Sequence, residues 1–276
     1  MKKLNLITAT LLFVTATLFQ SCNKDEDTIT VDQELLTANA QIDLSNELDF
    51  DLGLDVANNQ DTYSNRNGNT TMSFPSCATI SVQSGTLGQF PITFAIDFGT
   101  NCLHNGILRS GIITITFDDY LINYGSHMTI ERSNYYVNGR KIEGTVVYEN
   151  QTSNTQIPKW SRTVTNGKLT TISGNIFTFY GTRIVQQIAG VNTIDLNDNE
   201  YEVLSGTHTV NRPNGSSLTV TVVSPLIKKY SCTYISQGQL NLQGALLDGI
   251  LDYGNNTCDN QATYTHSNGV VYNITL

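Results

Sequence analysis

Four histidines, one carboxylate pair, one Asp/Asn-rich loop and a single tryptophan are the residues of this 276-residue chain whose types could support chemistry. His104, His127, His208 and His266 do not stand at metal-ligand spacing from one another, and each reads as an exposed strand or turn residue. Asp118-Asp119 would serve glycoside hydrolysis only if both carboxyls faced one cleft. Neighbours in a strand point to opposite faces, so the pair reads as solvated turn acids. Asp195-Leu196-Asn197-Asp198-Asn199-Glu200 alternates oxygen donors like the first half of a calcium loop, with Asp195, Asn197 and Asn199 as the candidate ligands. The glycine of the sharp turn and the distal bidentate glutamate are missing, so a plain inter-strand loop is the simpler reading. Trp160, flanked by Lys159 and Arg162, could stack on a sugar ring, although core burial suits it better. There is no Gly-x-Ser-x-Gly, no His-Glu-x-x-His and no glycine-rich phosphate loop. No cofactor is implied.

The elements that must carry these residues are strands. From about residue 72 to 276 the pattern is period two. Ile113, Ile115 and Phe117 take one face and Thr114 and Thr116 the other, and Leu218, Val220 and Val222 alternate with Thr219 and Thr221. One apolar and one polar face is the mark of antiparallel strands over a one-sided core. Asn-Gly pairs at 105–106, 138–139, 166–167, 214–215 and 268–269 supply the positive φ of two-residue hairpin turns. The pairs at 138–139 and 268–269 are the strongest hairpin signals, and 166–167 is nearly as good. Many hairpins with no helix between them predict a single all-β domain over 72–276: a curved antiparallel meander, a half-barrel or a sandwich. Before it, residues 32–71 read as a short helical stretch followed by an Asn/Gly-rich linker from Asp61 to Thr71. Asp32 starts the helix, Gly53 weakens it, and it is placed to cover an open end.

Five cysteines divide into one and four. Cys77, Cys102, Cys232 and Cys258 are an even set, which in an exported chain means disulfides. Ser76-Cys77 leads through a strand-like run to Asp97-Phe98-Gly99-Thr100-Asn101-Cys102. Ser231-Cys232 leads in the same way to Asp252-Tyr253-Gly254-Asn255-Asn256-Thr257-Cys258. Two copies of one motif should carry the same local bridge, so 77–102 and 232–258 are the expected pairs. The spacing is too wide for a structural zinc site.

Cys22 stands apart. It follows Lys2-Lys3, a mostly apolar run from Leu4 to Phe19, and Gln20-Ser21. That is a signal peptide over 1–21, too short and threonine-rich to be a stable transmembrane span. Leu18-Phe19-Gln20-Ser21-Cys22 resembles the looser lipobox of Bacteroidota lipoproteins, which implies acylation of Cys22 and anchoring to a membrane. Residues 22–31 read as a tether. Lys24-Asp25-Glu26 within it resembles the signal that sends such lipoproteins to the cell surface, and Asp27-Thr28-Ile29 resembles an O-glycosylation acceptor of the same phylum. The body from 74 to 276, with Asp97-Phe98-Gly99…Cys102, Arg109-Ser110-Gly111, Ser224-Pro225-Leu226…Cys232 and Asp252-Tyr253-Gly254…Cys258, is similar to a group of uncharacterised Bacteroidota lipoproteins. The resemblance carries no activity and no functional residue.

With 15 Lys+Arg against 24 Asp+Glu, the chain is acidic, and loss of residues 1–21 removes two of the lysines. No basic patch remains to neutralise phosphates, so nucleic acid is excluded as a partner. The expected protein is an outer-membrane, outward-facing lipoprotein with a non-catalytic binding or accessory role, for a glycan or a protein ligand. A structural or adhesive envelope component and a surface glycan-degrading enzyme are the alternatives.

Overall fold

The structure is a computed structural model and describes residues 31–59, 74–153 and 157–276. Cys22, Lys24, Asp25 and Glu26, the signal segment and the 61–71 linker lie outside the described residues. One helix, α1 (Gln33–Asn59), precedes fourteen strands: β1 (Thr79–Ser84), β2 (Ile92–Asp97), β3 (Cys102–His104), β4 (Ile107–Phe117), β5 (His127–Val137), β6 (Arg140–Asn150), β7 (Lys159–Thr170), β8 (Ile176–Ala189), β9 (Glu200–Asn211), β10 (Ser217–Lys229), β11 (Gln237–Gly244), β12 (Leu247–Asn255), β13 (Gln261–His266) and β14 (Val271–Thr275). They form a single antiparallel sheet in chain order, with β3 pairing only with the first residues of β4. Of the architectures compatible with the sequence, the curved meander is the one found.

Alternation sets the two faces. Ile113, Ile115 and Phe117 of β4 are buried, as are Leu218 and Val220 of β10. Threonines on the other face bond across strands, Thr93 to Thr116 at 2.9 Å and Thr163 to Thr182 at 3.0 Å. Both expected disulfides are present, Cys77–Cys102 and Cys232–Cys258, with sequence separations of 25 and 26.

The helix corrects the sequence reading. It is neither short nor a lid: it has 27 residues and lies within the curl of the sheet. Asp32 does start it, its carboxylate accepting from the Leu35 N–H at 3.0 Å. Every residue from Ala38 to Phe50 is buried. That run covers about three and a half turns, so α1 is enclosed on all sides. Among the described residues no helix is long and apolar enough to cross a membrane.

Wrapping a sheet this tightly needs bends, and bulges supply them. The β4–β5 register shifts between Ser110 and Ile112, at Gly111. Gly111 has φ +87°, and a Cβ there would collide with the backbone of Asn134. Gly111→Ala is therefore expected to lower stability by about 1–2 kcal/mol in urea unfolding, with no change in what the surface presents. A second bend overturns one hairpin assignment. Asn166-Gly167 lies inside β7, where the register against β8 slips between Val164 and Gly167. Asn166 has φ +52°, as a turn would need, but the residues form a bulge nested against Gly144. The β7–β8 turn comes later, at 171–175. Asn105-Gly106 and Asn138-Gly139 are hairpin turns as expected.

The two ends of the sheet differ. Tight turns at 105–106, 138–139, 171–175, 212–216, 245–246 and 267–270 lie at one pole. There Arg212 binds Asp32 and Glu34 at the start of α1. The longer connections, including 118–126 and 190–199, lie at the other. There Asn58, at the end of α1, reaches the Ile194 carbonyl at 3.5 Å.

Candidate functional site

The acidic residues of α1 give the interior its electrostatics. Asn39, Asp43, Glu47, Asp51 and Asp55 recur every four residues and so form one stripe. In an isolated helix such like charges repel. Here the sheet answers them from distant strands. Asp43 takes Arg183 at 2.6 Å and the Tyr253 hydroxyl at 3.0 Å. Glu47 takes Arg162 at 2.6 Å, and Asp51 takes Lys228 at 2.6 Å. Off the stripe, Asp49 takes Arg132 at 2.7 Å and the Tyr135 hydroxyl at 3.1 Å. Arg162 and Glu47 are 2% and 1% exposed at their side chains. Burial alone would push the Arg162 guanidinium down, and the Glu47 carboxylate outweighs it and raises it. These ion pairs are spent on joining helix to sheet. Beside Asp51 a cavity of about 60 Å³, lined also by Asp55, His104 and Arg109, has room for a few waters and not for a substrate.

A space that can take a ligand lies at the long-loop pole. A cavity of about 350 Å³ is lined by the last turn of α1, the connections at 118–126 and 190–199, and Pro158. Leu54 and Ala57 supply the helix side. Trp160 and Tyr201, projecting from β7 and β9, form part of its wall, and both pack on Phe50 with ring centroids at 5.9 and 5.2 Å. Tyr120, Leu121, Ile122, Pro158, Val191 and Leu196 complete its apolar surface. Asn58, Gln187, Thr193 and Asn199 are its polar side chains.

The structure brings some candidate residues together here and scatters the rest. Trp160 is 2% exposed, so it is no open sugar platform; its Nε1 donates to the Leu121 carbonyl at 3.3 Å. The Asp195 loop contains a short 3-10 turn at Leu196–Asp198. The Asp195 carboxylate accepts from the Asn197 N–H and Nδ2, at 2.9 and 2.8 Å, and is held low by those bonds. Asn199 turns inward and donates to the Tyr201 hydroxyl at 2.8 Å. The three therefore do not converge on one point. Among the described residues no group of three or more His, Cys, Asp or Glu is placed to hold a metal ion.

Two histidines correct the expectation of exposure. His208 and His266 are buried, because each sits at an inward position of its strand. His104 and His127 are half-buried. His127 Nδ1 pairs with Asp118 at 2.7 Å across the foot of the β4–β5 loop. Asp119 caps the same loop through the Tyr120 N–H and the Asn123 amide. These acids shape a turn, as expected of them. The cavity-lining residues other than Trp160 and Asn199 carry no signal in the sequence, since they come from four separate stretches with no shared pattern. No family model, no curated protein and no solved structure matches the chain.

Proposed function

We propose that this chain is a lipid-anchored outer-membrane lipoprotein, carried to the cell surface, whose β domain has a non-catalytic binding or accessory role. The location rests on Lys2-Lys3, the apolar run and Ser21-Cys22, with Lys24-Asp25-Glu26 as the sorting signal. The role rests on one observation: the buried acids Asp43, Glu47 and Asp49 are each held by a cation and a structural position, while a mostly apolar cavity of about 350 Å³ with amides in its wall lies elsewhere, at the long-loop pole. Arg212, beside the tight turns, pairs with Asp32, so the start of α1 lies at that pole, opposite the long loops. Loops held at the end of a rigid sheet are where binding functions concentrate.

Cell fractionation tests the anchor. Cys22→Ala is expected to move the protein from the membrane to the soluble fraction, since roughly 0.8 kcal/mol per buried methylene is lost with the acyl chains. Unchanged membrane association refutes lipidation. Protease treatment of intact cells tests the orientation. Wild type should be cleaved, and replacement of Lys24, Asp25 and Glu26 by alanine should protect it; equal cleavage refutes the sorting role.

A further inference from the structure

We propose that the cavity at the long-loop pole is the binding site for a small, uncharged, largely apolar molecule. The inference deepens the binding reading and rests on it.

Charge is the first argument. Among the described residues no Asp, Glu, Lys, Arg or His side chain lines the cavity. An ion placed there would lose its hydration without a counter-charge, so the site selects neutral molecules. Burial also holds the Tyr201 phenol well above its ordinary range, so it stays neutral. Size is the second. At about 350 Å³ the cavity falls within the range of small-molecule sites, roughly 300–1,000 Å³, and it is mostly apolar with a few polar groups, as such sites are. A saccharide would ask for many more hydrogen bonds than this wall holds.

The third is the mouth. Ile122 is 76% exposed and Tyr120 43%, beside Val191. Apolar side chains grouped at the rim of a cavity mark a binding surface.

The probe is N-phenyl-1-naphthylamine, neutral and largely apolar. It is titrated into the full chain carrying Cys22→Ser, which has no acyl chains to absorb it. Trp160 is the only tryptophan, so its emission reports the site directly. The expected result is saturable binding, with Trp160 emission falling as probe emission rises. Ile122→Asp, at an exposed position, should weaken binding by about tenfold or more by placing a charge at the mouth. Absent or non-saturable binding, or binding indifferent to Ile122→Asp, overturns the proposal. Quenching of Trp160 by a neutral sugar but not by the naphthyl probe overturns it too, while leaving the binding reading in place. The anchor has no bearing on the outcome, so failure of Cys22 acylation and failure of this site are distinguishable.

Discussion

Arg162→Met is expected to destabilise the domain by about 3–5 kcal/mol, and adding Glu47→Leu is expected to restore most of the loss. The pair is fully inside, with Nη1 and Oε1 2.6 Å apart and both side chains almost wholly buried. Two ions taken out of water roughly break even when they meet, because the desolvation penalty is offset by their attraction at low dielectric. Removing one leaves the other as an unpaired buried charge, which carries the full penalty. Two leucine-sized groups facing each other carry none of it. Urea unfolding of the two single variants and the double variant measures the coupling directly. Additive losses would mean that Arg162 and Glu47 are not an isolated couple, and that the neighbouring Arg183–Asp43 pair shares their charge.

Acid is expected to destabilise the fold from about pH 6.5 downward, with His208 as the cause. Its Nδ1 lies 2.7 Å from Arg183 Nη2, and its Nε2 lies 2.7 Å from Asn39 Oδ1. A guanidinium only donates, so Nδ1 accepts, and Nε2 carries the proton and donates to Asn39. Burial, then the charges of Arg183 and Arg162, hold the ring well below its usual range. The folded state therefore keeps His208 neutral at a pH where the unfolded chain protonates it. Stability from this group is fully present above the unfolded value of about 6.5 and falls by about 1.4 kcal/mol per pH unit below it, down to the folded value. Asp51 works the other way. Burial outweighs Lys228 and raises its carboxyl from 3.8 to about 6, so the folded state holds a proton there that the unfolded chain releases. That contribution grows as pH falls through 6, and it blunts the histidine slope. Comparing wild type with His208→Gln at each pH separates the two. The variant should be less acid-sensitive by about 2 kcal/mol between pH 6.5 and 5. Parallel curves for both proteins would assign the acid response elsewhere.

Much of the sheet was legible because its signals are local. Inward Ile113, Ile115 and Phe117 and outward Thr114 and Thr116 lie within one strand, and period two needs no distant partner. The disulfides were legible because two short motifs repeat. The role of α1 was not. Asp43, Glu47 and Asp51 stand at intervals of four, and the cations that pair with them, Arg183, Arg162 and Lys228, lie far along the chain. Asn166-Gly167 misled for a related reason: positive φ at that pair suits a turn and a bulge equally, and only the approach of Gly144 on the next strand decides. The cavity was invisible since its wall is assembled from the end of α1 and three loops.

The placement of α1 also orders the events by which the chain matures. It is made before any strand, yet Arg132 arrives 83 residues after Asp49, and Tyr253 comes 210 residues after Asp43. Until those strands exist the helix has no cover for its acids, and its like charges at four-residue spacing work against it. Contacts so remote in sequence make for slow folding. The domain therefore gains little from growing N-terminal end first. The earliest strands have no finished centre to close on, and the helix is secured only when strands from β5 to β12 surround it. Under the export proposed above this is an advantage: a core that cannot assemble early cannot block its own passage.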